Sequence, residues 1–194
     1  MLNKDMSKVD IEKELEKKGD YVKIDYLDRL IKDKNLPLDK KKFAYAKLSE
    51  IYEKKGMFID SAKMANNIAL MSHTFADKIK WHVRETEQYI KAGVFERADE
   101  ALKKALGETV DKERDNVYNT IKEFYKTQAE AHVKSNKRAQ AVRTYEKFLQ
   151  MRLNETERHE TKEKLIKLYE STGRLKEYFT LTKGGSVQKP ETRD

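Results

Sequence analysis

One phrase occurs twice in the chain at a fixed distance. Ile51 to Ala62 reads IYEKKGMFIDSA and Gln88 to Ala98 reads QYIKAGVFERA; each places a Tyr four residues before a Gly and a Phe two after it. Breaks of the same kind fall at Gly19, Gly56, Gly93, Asn136 and Gly173, which are 37, 37, 43 and 37 residues apart. Amphipathic stretches precede them at 9–18, 43–55, 79–92, 117–135 and 162–172, and another follows each. Gly and Asn tolerate the left-handed backbone that ends a helix, so the spacing predicts five successive helix–turn–helix units. A fixed period in this range marks stacked repeats, because one hairpin cannot bury its apolar stripe alone and its neighbours must complete the core.

Composition agrees with helices. Only two Pro and seven Gly interrupt 194 residues, leaving long stretches of Lys, Glu, Ala and Leu, which lose little rotamer freedom in a helix. Charged residues reach 39%, a level that suits a disordered chain, but ten Tyr and seven Phe supply the apolar bulk that disordered chains lack. Start signals fit as well: Ser7 with Asp10, Asn154 with Glu157, and Asp39 after Leu36-Pro37-Leu38 are compatible with helix caps. The longer interval before the fourth turn, around GETVDKERDN, predicts a longer loop or an extended helix. From Gly184 the segment GGSVQKPETRD loses periodicity and is expected to be a disordered tail, leaving 5–183 as the repeat domain.

On these residues the chain resembles the tetratricopeptide repeat family, whose motif joins an aromatic or Leu in the first helix, a turn Gly and small Ala residues in the second. The second unit carries Tyr45, Leu48, Tyr52, Gly56 and Phe58, with Ala62 one residue late, which implies a second helix that starts later. The third carries Tyr89, Gly93, Phe95, Ala98 and Ala105; the fourth Tyr125, Ala129, Ala141 and Tyr145 around Asn136. Outer units depart from the motif, with Ile24 and Tyr178 where small residues are expected, as fits end caps lacking a neighbour on one side. The period of 37 also exceeds the family's usual length of about 34. What the resemblance implies is an all-α, right-handed solenoid of about five antiparallel hairpins that binds another protein.

Little else suggests chemistry. The chain has no Cys, so thiolate chemistry and disulfides are excluded. His73, His82, His132 and His159 are scattered, and HETKE at His159 lacks the second His of a zinc-protease helix. No Gly-rich phosphate loop and no nucleophile–base set stands out, so neither a catalytic function nor a cofactor or metal is expected. The opening residues show no signal peptide and no apolar run is long enough to span a membrane, which makes the cytoplasm the expected location.

The resemblance also implies where a partner would lie, in a concave groove lined by the first helices. Positions 13, 10, 6 and 3 before each turn would face it, and these hold nine Glu against four Lys, although the whole chain carries +8. Phe43, Glu50, Glu53, Glu87 and Glu130 are therefore the candidate partner-binding residues, for a basic or amphipathic protein segment. Positions six before the turns (Lys13, Glu50, Glu87, Glu130, Lys167) contain no Asn, unlike family members that grip the acidic C-terminus of heat-shock chaperones. Positive charge collects instead at Lys17, Lys54, Lys91 and Lys134, two residues before successive breaks, where it offsets helix dipoles. It collects again at Arg138, Arg143, Lys147 and Arg152, the candidate patch for a second class of partner, RNA or a ribosome. End hairpins could also stack into a homodimer.

Overall fold

The computed structural model describes residues 2–183, so the tail expected from Gly184 lies outside the described residues. Among the described residues there are ten helices and no strand. They are α1 (Lys8–Glu16), α2 (Asp20–Lys32), α3 (Leu38–Lys54), α4 (Phe58–Leu70), α5 (Phe75–Ala92), α6 (Phe95–Gly107), α7 (Asp111–Lys134), α8 (Arg138–Leu149), α9 (Glu155–Thr172) and α10 (Leu175–Lys183). No helix among them is long and apolar enough to cross a membrane. The chain divides into two compact units, one ending at Ile121 and the other beginning at Lys122, with the boundary inside α7.

In the first unit each helix from α2 to α5 packs on the next in sequence. Ile11, Leu15, Leu27, Leu30, Leu36, Ala44 and Leu48 form one apolar cluster drawn from α1, α2, α3 and the connection before α3, with Phe43 half-buried against it. Small residues dominate further along: Ala62, Ala65 and Ala69 of α4 and Ala98, Ala101 and Ala105 of α6 are buried, which lets neighbouring helices approach closely. In the second unit α8 packs on α9 and α9 on α10, around Tyr125, Ala129, Ala141, Val142, Tyr145 and Leu165.

Four of the five breaks share one geometry. Gly56, Gly93, Asn136 and Gly173 have φ of 73°, 70°, 55° and 69°. In each case the residue after the break donates its N–H to a carbonyl five back: Met57 to Tyr52, Val94 to Tyr89, Lys137 to His132 and Arg174 to Tyr169, at 2.8 to 3.0 Å. The break residue itself donates three back, completing the paired bonds of a Schellman ending that satisfy the last carbonyls of the helix. Gly19 is different. Its φ of −69° and ψ of 155° are extended, and it serves as the N-cap of α2 with no side chain to offer.

Other expectations change in detail. Ser7 and Asn154 form reciprocal capping boxes with Asp10 and Glu157. Asp39 does not cap α3: the helix begins at Leu38 after Pro37, and the Asp39 carboxylate lies in the first turn, 3.1 Å from Lys8. Thr74 caps α5 by accepting from the Asp77 N–H at 3.1 Å. The second helix of the second hairpin does not start late, since α4 and α6 both begin two residues past their turn glycine. Ser61 takes the small-residue place there, five after Gly56 as Ala98 is five after Gly93. Its hydroxyl is satisfied by the Ser49 carbonyl at 2.9 Å, so a buried polar group costs little. The longer spacing before Asn136 is absorbed by α7, which runs to 24 residues.

Candidate functional site

A broad cleft lies within the second unit. It has a volume of about 550 Å³ and is lined by Glu130, Val133 and Lys134 from the end of α7, Asn136 in the turn, Arg138 and Tyr145 from α8, and four residues of α9. Those four, Lys164, Lys167, Leu168 and Ser171, recur at short helical steps, which places them on one side of the helix. Its volume is in the range of sites that take a ligand or the side chains of a partner segment. Tyr145 and Leu168 supply a buried apolar floor, while Val133 is 46% exposed at the edge.

Glu130, Lys164 and Tyr145 in the cleft are fixed in charge. The Lys164 ammonium bonds the Glu130 carboxylate at 2.8 Å and lies 5.7 Å from the Tyr145 ring centre. The bond from Lys164 holds the Glu130 carboxyl below its ordinary range, against the opposing pull of burial. Burial alone would pull Lys164 down, but its bonds to Glu130 and Tyr145 outweigh that and keep it protonated. Burial pushes the Tyr145 phenol up. Each shift moves away from neutrality, so none of the three is poised to exchange a proton near pH 7, as a general acid or base must be. The arrangement suits binding. Nearby, burial and the charge of Lys137 lower His132, which is bonded to Gln128 at 3.0 Å.

The other carboxylates expected in a groove have occupied roles. Glu53 on α3 accepts from Arg84, from Gln88 at 3.1 Å and from Lys91 at 2.7 Å, all on α5. Glu87 accepts from the same two cations, Arg84 at 2.7 Å and Lys91 at 2.6 Å. Two anions and two cations thus cancel between the first helices of adjacent hairpins. Similar ties, about one period long, join α1 to α3 through Glu12 and Lys47 at 2.7 Å, and α7 to α9 through Lys122 and Glu157 at 2.8 Å. Glu130 belongs to this set through Lys164. Glu50 is exposed, 3.5 Å from Lys47, and lines a smaller hollow of about 300 Å³ with Glu12, Glu16 and Lys23. Phe43 has the Lys47 ammonium 5.6 Å from its ring centre.

The candidate basic patch separates. Arg138 enters the cleft, donating to Asn136 Oδ1 at 3.1 Å and to the Ser171 carbonyl at 3.3 Å. On the 3.6-residue period, Arg143 and Lys147 fall on the side of α8 opposite its buried stripe of Ala141, Val142, Thr144, Tyr145 and Phe148. Arg152 lies beyond the end of α8. Sequence spacing did not single out Lys134, Lys164 and Lys167 as neighbours, because they belong to two helices and meet only across the cleft. His82, isolated in sequence, is buried and bonded to Glu85 at 2.9 Å, which also takes Lys104 at 3.3 Å.

Compared with known proteins, the chain matches no protein-family model, no curated protein and no solved structure.

Proposed function

We propose that the chain is a protein-binding adaptor of the tetratricopeptide-like solenoid kind, working in the cytoplasm, which holds a segment of another protein in the cleft formed by α7, α8 and α9. The observation that carries this is the cleft itself: an apolar floor of Tyr145 and Leu168, an exposed Val133 at its edge, and a Glu130–Lys164 pair whose shifts move away from neutrality. Breaks that recur at 37 residues with one interval of 43, a period longer than the family's, and Ser61, Ala98 and Ala141 in the small-residue place support the kinship. A helix or extended segment would insert apolar anchors there and set its polar residues against the rim. The RNA reading is weaker, because Arg138 lines the cleft while Arg143 and Lys147 occupy the other side of α8.

Selection of a random peptide library on the immobilised chain tests this. Binders should emerge whose affinity falls at least tenfold when Val133→Glu places a carboxylate at the cleft edge. Because Val133 is exposed, the variant should keep the melting temperature of the parent. Binders indifferent to Val133→Glu would place the binding surface elsewhere, and a selection that yields none would remove the adaptor reading.

A further inference from the structure

We infer that the occupant of this cleft is an internal acidic amphipathic segment of a partner protein, with Asp or Glu side chains meeting Lys134, Arg138 and Lys167 and an apolar anchor between them. The inference rests on the adaptor reading and adds the sign of the partner, opposite to that expected from the excess of Glu on the first helices. Glu130 is the sole carboxylate among the residues lining the cleft, and Lys164 cancels it at 2.8 Å. Three cations are left. Lys134 and Lys167 make no ion pair with any described residue. Among the described residues Arg138 bonds only neutral acceptors, Asn136 Oδ1 and the Ser171 carbonyl, which orient the guanidinium without cancelling its charge. An oriented guanidinium loses less freedom when it takes a carboxylate than an unrestrained one would.

Cations contributed by three helices around one apolar floor call for carboxylates spread along a segment, flanking an apolar side chain, more than for one terminal carboxylate at a single point. Like-charge contact would penalise a Lys- or Arg-rich segment, which is how such a rim selects among partners. The floor separates peptide from nucleic acid, because Val133, Tyr145 and Leu168 offer no exposed aromatic face on which a base could stack.

The test reads the sequences recovered from a random twelve-residue library displayed between flanking residues on both sides and selected on the full chain. Enrichment of Asp and Glu beside Leu, Phe or Trp is expected. A recovered peptide, resynthesised with an amidated C-terminus, should lose about tenfold in affinity against Lys134→Glu/Lys167→Glu, the combined effect of two exposed charge pairs turned repulsive. Should that reversal lower the melting temperature, Lys134→Gln/Lys167→Gln should still weaken binding several-fold. Recovery of Lys- and Arg-rich binders sensitive to Val133→Glu would overturn the acidic partner and leave the adaptor standing. Displacement of the acidic peptide by an equal concentration of single-stranded oligouridylate would overturn it in favour of RNA. Binders insensitive to Val133→Glu would place the binding surface elsewhere and overturn the acidic occupant of this cleft, and a selection that yields none would overturn the adaptor reading as well.

Discussion

Glu53→Gln separates a carboxylate that holds helices together from one that waits for a partner. Glu53 accepts from Arg84, Gln88 and Lys91, and replacing it leaves two half-buried cations sharing Glu87 alone. A hydrogen bond to a charged group contributes roughly 1.5–3 kcal/mol when well buried. The side chains of Glu53, Lys91 and Arg84 retain 24%, 27% and 32% exposure, which moves each pairing towards the roughly 0.2–1 kcal/mol of surface pairs. Removing two such pairings, with one cation left uncompensated, costs about 2 kcal/mol. For a chain of this size that is about 4–8 °C in melting temperature. Trp81, the single tryptophan, lies on α5 with Arg84, Gln88 and Lys91, so its fluorescence during urea unfolding reports the first unit. Glu50→Gln is the control: Glu50 is exposed and meets Lys47 at 3.5 Å, so the variant should stay within about 0.5 kcal/mol of the parent. The difference should also depend on pH. Burial alone would raise the Glu53 carboxyl, but bonds from Lys91 and Gln88 and the charge of Arg84 outweigh it and hold it below 4.5. A depressed folded value means its stabilisation is complete above the unfolded value and is lost as pH falls through the folded one. The gap between parent and variant should therefore be full above the unfolded carboxyl value of roughly 4.3 and narrow as pH falls below it. Equal stabilities of Glu53→Gln and Glu50→Gln at pH 7 would refute a structural role for Glu53.

Gly93→Ala should cost about 1–2 kcal/mol in chemical denaturation, all of it from the left-handed backbone, since a Cβ there meets nothing within 4 Å. Gly19→Ser should instead gain a few tenths of a kcal/mol, because the position is an extended N-cap that lacks a capping side chain; equal losses at both sites would contradict the distinction. Asn154→Ala removes half of the capping box of α9 and should cost about 1 kcal/mol, seen as faster amide hydrogen exchange in the first turn of that helix.

The hairpin plan was legible because it is written in residues with few conformational alternatives. Gly56, Gly93, Asn136 and Gly173 mark their turns by backbone need, and Ala98 and Ala141 mark close approach by size. Helix starts were harder to read. The helices α3, α5, α7 and α9 begin several residues before their apolar periodicity does, at Leu38, Phe75, Asp111 and Glu155. Those first turns are largely exposed, so burial imposes no pattern on them, and only caps such as Thr74 and Asn154 announce them. Gly19 misled because Gly serves both ends of a helix, and identity alone does not say which.

Charge was the least legible property, for a definite reason. Counting Glu at groove positions treats each carboxylate as available, whereas availability depends on cations about one period away in sequence. Glu12, Glu53 and Glu130 are each taken by a cation on the next hairpin's first helix, at Lys47, at Arg84 and Lys91, and at Lys164. The ladder of Lys two residues before the first four breaks divides in the same way. Lys54 meets Asp20 at 3.5 Å and Lys91 meets Glu53 and Glu87, while Lys134 makes no ion pair among the described residues. A repeat that uses its acidic residues to join hairpins presents to a partner only the remainder. Among the described residues lining the cleft that remainder is Lys134, Arg138 and Lys167, so the sign of the cleft follows from which charges the packing leaves over, and an excess of Glu along the first helices can coexist with a cationic site.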